Sequence, residues 1–287
     1  MEKFIDGETK LCCLIGDPVS HSLSPLMQNH AFRKTGINAV YLAFKVISDN
    51  LKKVVDGLKS INILGANVTI PYKTEIAKLM DKLDESAVKI GAVNTIKNDE
   101  GLLKGYNTDS EAAIDLINER IRNVEDENVL LIGAGGVARA IAYGLALKGA
   151  NITILNRTIS RAEELKNDLL KNFRDNLRCR VIDLKELGKG LGEFRILVNA
   201  TSIGMTPNVN ETPIKKEYLK GEMIVFDTVY NPLETLLLKE AKKSGCAVIE
   251  GYKMLVKQGA LSFKIWTGRN PPIKEMERIV YDKLRRV

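Results

Sequence analysis

Short apolar runs alternate with segments of helical periodicity along the whole chain. In the first third, the runs LCCLI, AVYLAFKV and GANVTI predict strands, since short apolar runs bounded by polar turns are typical of buried strands. Apolar positions three and four apart predict helices at about residues 25–35 and 51–58. The segments AVNTIK and LLKGYN, separated by NDEG, predict a hairpin. This alternation is typical of an α/β protein with largely parallel sheets.

A second series of strands begins with NVLLIG at residues 128–133. It continues through NITILN, CRVID, FRILVNA, MIVFD and CAVIEG. We predict helices in this part of the chain near residues 137–148, 160–170, 254–266 and 272–285. The polar segment 167–180 is expected to extend the second of these helices.

The alternation restarts after a helix that begins near Thr108. Thr108 and Glu111 have the spacing of a capping box, which marks a helix N-terminus, and we place the domain boundary within residues 108–123. The length of 287 residues favours two domains as well, because one domain takes about 150 residues. Hydrophobic and charged residues make up 45% and 28% of the chain, which argues against a disordered protein. We therefore expect two α/β domains.

Composition also limits where the protein acts and what it binds. No apolar run approaches the roughly 20 residues that span a bilayer, and MEKFIDGETK lacks the apolar region of a secretory signal. We therefore expect a soluble, cytoplasmic protein without membrane partners. The formal net charge of +7 favours anionic partners. Because basic residues are spread over amphipathic helices and are not clustered with aromatic residues, small phosphorylated or carboxylated molecules are favoured over nucleic acid.

The cysteines and histidines are too few and too scattered for a disulfide framework or a metal site. Cys12 and Cys13 are adjacent inside an apolar run, Cys179 and Cys246 stand alone, and no CxxC pair occurs. We interpret them as small buried hydrophobic residues and expect no metal.

A glycine-rich turn, GAGGVA at residues 133–138, follows the apolar strand VLLI and precedes a helix. This is the GxGxxA pattern of a dinucleotide site in its required strand–turn–helix context. Gly133 permits the tight turn, Gly135 leaves room for the pyrophosphate, and Ala138 is small enough for close helix–strand packing. The helix N-terminus offers free amide groups to the phosphates. A glycine turn that connects the two elements for steric reasons alone is the alternative.

The end of the next strand indicates which dinucleotide binds. An NAD site has an acidic residue about 20 residues after the glycine turn, but here the chain reads Asn156-Arg157-Thr158, with Arg161 a little further on. A guanidinium can bind the 2′-phosphate of NADP, and no carboxylate repels that phosphate. NADP is therefore favoured over NAD, and a solvated arginine at a strand end is the alternative.

Three polar sites in the first domain allow both a structural and a functional interpretation. Ser24 before Pro25 has the pattern of a helix N-cap, and with Ser22 it could bind a carboxylate. Lys73 follows a strand and opens a helix, where it is either an acid/base or a surface lysine. Asp109 follows the predicted N-cap Thr108, where the helix dipole keeps a carboxylate ionised.

Together these residues resemble the shikimate dehydrogenase family. The matching motifs occur in family order and span nearly the whole chain: SHSLSP at 20–25, NVTIPYK at 67–73, GAVNT at 91–95, NTD at 107–109, GAGGVARA at 133–140, NRT at 156–158, NATSIGM at 199–205, DTVYNPLET at 227–235 and GYKMLVKQG at 251–259.

The resemblance implies the reversible reduction of 3-dehydroshikimate to shikimate by NADPH, a step of aromatic amino-acid biosynthesis. It implies an N-terminal α/β substrate domain over residues 1–109, with residues 255–287 packed back on it. A C-terminal Rossmann, or doubly wound, NADP-binding domain is implied over residues 110–254, with the catalytic cleft between the two domains.

The resemblance also implies roles for individual residues. Lys73 is implied as the catalytic acid/base, with Asp109 as its partner. Substrate contacts are implied for Ser22 and Ser24 at the carboxylate, for Thr69, Lys73, Asn94, Asp109 and Gln258 at the ring oxygens, and for Asn67 and Tyr230 nearby. Cofactor contacts are implied for Glu85, Gly133, Ala134, Gly135, Gly136, Val137, Asn156, Arg157, Thr158, Ile159, Ser160, Arg161, Thr228 and Gly251.

Three alternative functions remain at this point. A quinate/shikimate dehydrogenase would accept a broader range of substrates, and a non-catalytic NADP-binding sensor would need no acid/base pair such as Lys73 and Asp109. A glutamyl-tRNA reductase would need a nucleophilic cysteine, and no cysteine here lies in a polar motif. A monomer and a homodimer are both compatible with the sequence.

Overall fold

The computed structural model describes residues 5–174, 177–183, 187 and 193–286. The chain divides into two compact units, which we call unit 1 (residues 1–108 and 255–283) and unit 2 (residues 109–254 and 284–287). The division after Thr108 lies one residue before the predicted domain end at Asp109. Residues 284–287 belong to unit 2, whereas the sequence assigned them to the segment that returns to the first domain.

The strands are β1 (Lys10–Gly16), β2 (Ala39–Lys45), β3 (Gly65–Val68), β4 (Lys82–Leu83), β5 (Thr95–Asp99), β6 (Leu102–Tyr106), β7 (Asn128–Ile132), β8 (Asn151–Leu155), β9 (Cys179–Ile182), β10 (Ile196–Asn199), β11 (Ile224–Asp227) and β12 (Ala247–Ile249). The helices are α1 (Ser24–Thr35), α2 (Leu51–Ser60), α3 (Lys73–Ala77), α4 (Glu85–Ile90), α5 (Asp109–Asn118), α6 (Gly136–Leu147), α7 (Ile159–Phe173), α8 (Leu236–Lys243), α9 (Gly251–Thr267) and α10 (Ile273–Leu284).

Unit 1 contains a mixed sheet in the order β2-β1-β3-β5-β6-β4. β1 pairs in parallel with β2 and β3, and β5 is antiparallel to both β3 and β6. The predicted hairpin is therefore confirmed as β5 and β6. Its turn places Glu100 at φ 51° and Gly101 at φ 89°, the left-handed conformation that suits a tight hairpin turn.

The helix α9 packs against the sheet of unit 1 through its C-terminal half. The Trp266 indole Nε1 donates a hydrogen bond to the Ile96 carbonyl at 2.9 Å. Gly65 makes this approach possible, because a Cβ at that position would lie 2.3 Å from the Trp266 ring. Phe263 packs against Phe32 of α1, with ring centroids 5.5 Å apart. Large aromatic side chains thus hold the C-terminal half of α9 in unit 1.

Unit 2 contains a parallel sheet in the order β12-β11-β10-β7-β8-β9. This is the strand order of the doubly wound dinucleotide-binding fold, in which the order reverses between β7 and β10. The predicted α/β class with a Rossmann domain is confirmed. The central strands β7 and β10 are buried almost throughout, as expected where helices cover both faces of a parallel sheet.

Local structure differs from the sequence prediction in a few places. α1 begins at Ser24 with Leu23 as its N-cap, so Ser24 is the first helical residue and not the cap. α7 ends at Phe173, and β9 starts at Cys179, so the helix does not continue to residue 180. The predicted helix start at Lys73 is confirmed by α3, whereas the short helices α4 and α8 were not predicted, because six to eight residues hardly display a helical period.

Candidate functional site

The carboxyl ends of β1 and β3 are adjacent in the sheet of unit 1, with Ile15 paired to Val68. The segments that follow these two strands carry several predicted site residues. Ser22 and Ser24 lie after β1, and Thr69 and Lys73 lie after β3. Open α/β sheets bind ligands outside the carboxyl ends of their strands, so these side chains lie where a ligand is expected.

Two serine hydroxyls lie at the start of α1. Ser24 is buried, Ser22 is half-buried, and the Ser24 amide donates to the Ser22 Oγ at 3.2 Å. The N-cap residue Leu23 makes no side-chain capping bond, and Pro25 has no N–H to satisfy. A helix N-terminus with two hydroxyls is a suitable binding place for a carboxylate.

Thr69 is held against the end of β1 by a glycine. A Cβ at Gly16 would lie 2.3 Å from the Thr69 Cγ2, so no larger residue fits there without a shift. The Thr69 amide donates to the Ile15 carbonyl at 3.0 Å, and the Thr69 carbonyl accepts from the Tyr72 amide at 3.0 Å. The backbone of Thr69 is therefore fixed on both sides, while its side chain remains half-buried.

Lys73 is the first residue of α3 and only 9% exposed, which excludes the surface-lysine alternative. Its carbonyl accepts from the Val93 amide at 2.7 Å, so α3 is tied to the segment that carries Asn94. Lysine is very seldom buried without a functional or pairing reason. The burial of Lys73 therefore favours the functional interpretation.

Asn67 is buried at the end of β3, and its side-chain amide is bonded on both sides. Its Oδ1 accepts from the Tyr41 hydroxyl at 2.8 Å. Its Nδ2 lies 3.0 Å from the Asn94 carbonyl, 3.1 Å from the Thr95 Oγ1 and 3.0 Å from the Ser262 Oγ. These contacts use both amide hydrogens, so Asn67 supports its neighbours and has no free donor for a ligand.

Asn94, Thr108 and Gln258 are brought together from three separate parts of the sequence. The Asn94 Nδ2 donates to the Thr108 Oγ1 at 2.9 Å and lies 3.4 Å from the Gln258 Oε1. The Asn94 Oδ1 accepts from the Thr108 amide at 2.8 Å. The Thr108 hydroxyl, predicted as part of a capping box, lies 3.1 Å from the Gln258 carbonyl. The predicted substrate residues Asn94 and Gln258 therefore share one hydrogen-bonded cluster.

Three members of this cluster were missed by the sequence prediction. Tyr41, Thr95 and Ser262 are fully buried. The Thr95 and Ser262 hydroxyl oxygens are 2.7 Å apart, and the Ser262 Oγ donates to the Gln258 carbonyl at 3.0 Å. The sequence signal that could have predicted Ser262 is its position four residues after Gln258, which places both side chains on the same face of one helix. We call the set Tyr41, Asn67, Asn94, Thr95, Thr108, Gln258 and Ser262 the amide–hydroxyl cluster.

Asp109 follows Thr108 directly and is the first residue of α5 in unit 2. It is only 3% exposed. A carboxylate in the first turn of a helix is favoured by the exposed amide groups there. Burial of a carboxylate is rare unless it is paired or hydrogen-bonded.

The glycine turn of unit 2 has the geometry that a dinucleotide needs. Gly133 adopts φ +119°, and a Cβ there would lie 2.9 Å from the Ala200 carbonyl oxygen. Gly135 is the exposed N-cap of α6, and a Cβ on it would meet no protein atom within 4 Å. The space in front of Gly135 and the start of α6 is thus open for phosphates. Ala138 is fully buried against the sheet, as predicted.

The loop after β8 presents two exposed cations. Arg157 and Arg161 are exposed, and neither has an ion-pair partner among the residues that the structure describes. The Asn156 Nδ2 donates to the Thr158 carbonyl at 2.8 Å, which orders the loop between them. Ile159 and Ser160 open α7 and are exposed as well. The loop offers guanidinium groups without a competing carboxylate, which fits a 2′-phosphate.

The loops after β10 and β11 meet at a buried carboxylate. Asp227 ends β11 and accepts hydrogen bonds from the Asn199 Nδ2 at 2.9 Å, the Val229 amide at 3.1 Å and the Thr235 hydroxyl at 2.6 Å. Burial raises the pKa of the Asp227 carboxyl to about 6, and the three hydrogen bonds oppose that shift. We call Asn199, Asp227 and Thr235 the carboxylate cluster.

The predicted cofactor residues Thr228 and Gly251 lie beside this cluster. The Thr228 amide donates to the Asn199 carbonyl at 3.0 Å. A Cβ at Gly251 would lie 2.3 Å from the Val229 carbonyl oxygen, so the start of α9 touches the loop after β11. The predicted substrate residue Tyr230 is half-buried in the same loop.

Glu85, also predicted to contact the cofactor, lies in unit 1, whereas the other predicted cofactor residues lie in unit 2. It opens α4 of unit 1, has 82% of its side chain exposed, and pairs with Lys89 at 2.6 Å. Within the described ranges, no group of three or more His, Cys, Asp or Glu side chains is arranged to hold a metal ion. No helix in the described part of the chain is long and apolar enough to cross a membrane.

The chain matches three family descriptions in sequence order. Residues 14–96 match "Shikimate dehydrogenase substrate binding domain", residues 115–229 match "Shikimate / quinate 5-dehydrogenase", and residues 251–281 match "Shikimate 5'-dehydrogenase C-terminal domain". The three matches cover both predicted domains and the terminal segment.

Full-length relatives show the same likeness. The chain is 48% identical to the shikimate dehydrogenase (NADP(+)) of Methanocaldococcus jannaschii over 98% of this chain and 99% of that protein. A crystal structure of a shikimate dehydrogenase in complex with NADP⁺ is 46% identical, with a TM-score of 0.91 and 98% of each chain covered. A second, from Listeria monocytogenes in complex with shikimate and NAD, is 38% identical, with a TM-score of 0.87, covering 98% of this chain and 99% of that one.

Proposed function

The chain belongs to the shikimate dehydrogenase family, and from that premise we propose how its own residues bind the two ligands and move the proton. It is an NADP-dependent oxidoreductase that interconverts 3-dehydroshikimate and shikimate in the shikimate pathway. The roles of individual residues below are proposals that rest on their positions and contacts.

The amide–hydroxyl cluster is the observation that carries the proposal for the substrate. A ring with several hydroxyl groups needs neutral donors and acceptors at fixed positions, because each hydroxyl both donates and accepts. Asn94 and Gln258 are joined through Thr108 in that cluster. We assign both side chains, with the hydroxyl of Thr69, to the ring oxygens of the substrate. Asn67 then acts through Asn94 and Thr95, since its own amide is fully used.

The start of α1 is proposed to bind the substrate carboxylate. The Ser22 and Ser24 hydroxyls lie at the N-terminus of α1, a helix of twelve residues whose N-cap residue makes no side-chain capping bond. Hydrogen bonds from hydroxyls and amide groups to a carboxylate are charge-assisted and are stronger than those to a neutral group. Binding of the carboxylate at the start of α1 would orient the substrate, so that its ring carbonyl points away from α1 and toward the acid/base.

Lys73 is proposed as the acid/base of the reaction. When bound, NADPH supplies the hydride that reduces the C3 carbonyl of 3-dehydroshikimate. The Lys73 Nζ ammonium donates a proton to the carbonyl oxygen as that oxygen becomes a hydroxyl, and it stabilises the developing negative charge. In the reverse direction the Lys73 amine accepts that proton. Asp109 is proposed as the carboxylate partner of Lys73 and as an acceptor for a ring hydroxyl.

The residues of unit 2 fit NADP(H). The open space in front of Gly135 and the start of α6 suits the pyrophosphate, since a side chain there would occupy that space. Gly133, Ala134, Gly136 and Val137 complete this turn. Asn156, Arg157, Thr158, Ile159, Ser160 and Arg161 are proposed to bind the adenosine 2′-phosphate end. Thr228 and Gly251 are proposed at the nicotinamide side, with Tyr230 of the same loop as a substrate contact, and Glu85 as a peripheral cofactor contact.

Four assays test the proposed function: NADP⁺ and NAD⁺ reduction, each with shikimate and with quinate. We expect shikimate with NADP⁺ to give the highest kcat/KM. Equal rates with quinate would establish the broader quinate/shikimate dehydrogenase, which the matched description "Shikimate / quinate 5-dehydrogenase" also covers. Binding of NADP⁺ without any turnover would establish a sensor.

We propose that the enzyme acts in the cytoplasm, with a monomer and a homodimer as the two assemblies to be distinguished. Free thiols at Cys12, Cys13, Cys179 and Cys246 suit a reducing compartment. The substrates are small molecules, and neither nucleic acid nor membrane is proposed as a partner. Light scattering on the purified enzyme gives the mass in solution, and a mass of one chain would remove the homodimer from the proposal.

A further inference from the structure

The carboxylate cluster joins the loops after β10 and β11 at their base. Both strands end at a cluster residue, Asn199 for β10 and Asp227 for β11, and the two are adjacent in the sheet. The Asn199 Nδ2 to Asp227 Oδ1 bond of 2.9 Å connects them through their side chains. The Asn199 Oδ1 accepts from the Thr201 amide and hydroxyl at 3.1 and 2.7 Å. One buried amide thus holds the first loop on one side and the carboxylate on the other.

Further contacts hold the same two loops together beyond their bases. The Thr206 amide donates to the Asn231 carbonyl at 3.0 Å. Thr235 closes the second loop, since its hydroxyl donates to the Asp227 Oδ2 at 2.6 Å and its Oγ1 caps α8 through the Leu238 amide. The two loops are therefore one connected structure, and the Asp227 carboxylate accepts hydrogen bonds from the last residue of β10 and from the loop after β11.

A neutral amide side chain could not accept all the hydrogen bonds that this carboxylate accepts. Three donors converge on its two oxygens: an amide N–H, a side-chain amide N–H and a hydroxyl. The two donor side chains are neutral, Asp227 is fully buried, and within the described part of the chain no Lys or Arg forms an ion pair with it. Such an arrangement costs stability, since desolvating a carboxylate is unfavourable. A cost of this kind is expected where the loop geometry itself is needed.

We propose that Asp227 is a positioning residue for the nicotinamide half of the cofactor. It fixes the loop that holds Thr228 and Tyr230 and the Val229 carbonyl that contacts Gly251. This inference rests on the proposed function, which assigns Thr228 and Gly251 to the nicotinamide side. The adenosine end is assigned to loops after β7 and β8, which carry none of the three cluster residues.

The test compares two ligands on the same set of variants. NADPH uses both halves of the site, whereas adenosine 2′,5′-bisphosphate occupies only the adenosine end. For Asp227→Asn we expect the Kd of NADPH to rise roughly tenfold, since one hydrogen bond to a charged group is lost or reversed. We expect kcat to fall by about tenfold to a hundredfold, because a misplaced nicotinamide slows hydride transfer. The Kd of adenosine 2′,5′-bisphosphate should stay within about twofold.

A threonine pair provides the second line of the test and its control. Thr235→Val removes the hydroxyl and should give the same split between the two ligands, whereas Thr235→Ser keeps the hydroxyl and should restore both NADPH affinity and kcat. Thr153 is a matched control, because it is a buried threonine of unit 2 whose hydroxyl accepts from the Arg180 Nε at 3.0 Å, outside the cluster. Thr153→Val should leave both affinities and kcat unchanged.

Two results would overturn the inference. An equal loss of affinity for both ligands would show that Asp227 supports unit 2 as a whole, and unchanged NADPH affinity and kcat would show that it positions nothing. If Asp227→Asn does not fold, the pair Thr235→Val and Thr235→Ser decides instead. The deciding quantity is again the change in the Kd of NADPH compared with the change in the Kd of adenosine 2′,5′-bisphosphate. Thr228→Val separates this outcome from the proposed function: if it leaves NADPH binding unchanged, the assignment of Thr228 fails, whatever Asp227→Asn shows.

Discussion

The candidate site residues of the two units differ in their exposure to solvent. In unit 1 the proposed acid/base and the amide side chains beside it are buried: Lys73 is 9% exposed, Asn67 is 5% and Asn94 is 2%. In unit 2 the residues proposed for the phosphates, such as Gly135 and Arg157, are exposed. A buried site is held by its own hydrogen bonds before any ligand arrives, whereas an exposed arginine is ordered only by what it binds. We therefore expect unit 1 to dominate the chemistry and unit 2 to dominate cofactor choice.

The buried polar clusters behind the two sites differ in charge. The amide–hydroxyl cluster of unit 1 consists of neutral side chains, whereas the carboxylate cluster of unit 2 contains Asp227, whose pKa burial raises to about 6. A neutral cluster keeps its hydrogen bonds at any ordinary pH. A buried carboxylate is stable in its neutral form and costs free energy once it ionises. Two units of one chain should consequently respond to pH in different ways.

The largest effect is expected from Lys73 in unit 1. Lys73→Ala should lower kcat by about 10²–10⁴-fold, because an acid/base acts on the proton in the transition state. The KM for shikimate should change far less, since Asn94, Gln258 and the serine hydroxyls still bind the ground state. Steady-state kinetics checks both values. Lys78→Ala, an exposed lysine at the end of the same helix, is the control and should behave as the parent enzyme. If Lys73→Ala keeps kcat within about threefold, the assignment is wrong.

Cofactor choice in unit 2 should depend on Arg157. Arg157→Ala should raise the Kd of NADPH by roughly 10- to 100-fold and leave that of NADH nearly unchanged, because a guanidinium contact to the 2′-phosphate is worth about 1.5–3 kcal/mol. Fluorescence titration with both cofactors measures this ratio. Arg120, an exposed arginine of the same unit, serves as the control through Arg120→Ala. An equal loss for both cofactors would show that the 2′-phosphate binds elsewhere.

The pH response of stability sharpens the comparison of the clusters. The pKa of Asp227 in the folded protein lies above the ordinary value of 3.8. The favourable contribution of Asp227 to the free energy of unfolding is therefore fully present below pH 3.8 and is lost as the pH rises through about 6. The shift corresponds to about 3 kcal/mol in total, of which about 2 kcal/mol falls between about pH 4.5 and about pH 7.5. Relative to Asp227→Asn, the parent should lose that amount over this interval. Urea unfolding of both proteins at several pH values measures it, and a constant difference would contradict the prediction.

The smallest pH dependence is expected from the neutral cluster. Ser262→Ala removes a hydroxyl that bonds to Thr95 and Gln258, and should lower the free energy of unfolding by about 1–3 kcal/mol. Since no group in the cluster ionises near neutral pH, the loss should be the same at every pH used for Asp227→Asn. A pH-dependent loss in Ser262→Ala would remove the contrast between the two units.

Patterns within the sequence were enough for the fold class and for the glycine turn. Apolar runs and helical periods predicted the α/β class, and the hairpin of β5 and β6 was predicted from its turn residues. The short helix α4 escaped prediction because six residues scarcely complete two turns. The roles of individual site residues stay predictions, although the burial of Lys73 removes its alternative as a surface lysine.

The sequence by itself determined what depends on neighbours along the chain: strand and helix periods, the glycine turn at Gly133, and the absence of an acid beside Arg157. The tertiary structure alone decided which distant groups share a hydrogen bond. Ser262 meets Asn67 across 195 positions, and Asp227 meets Asn199 and Thr235 from different elements. The physical reason is that a buried polar group must find a partner wherever packing brings one, and packing joins positions that no local period relates.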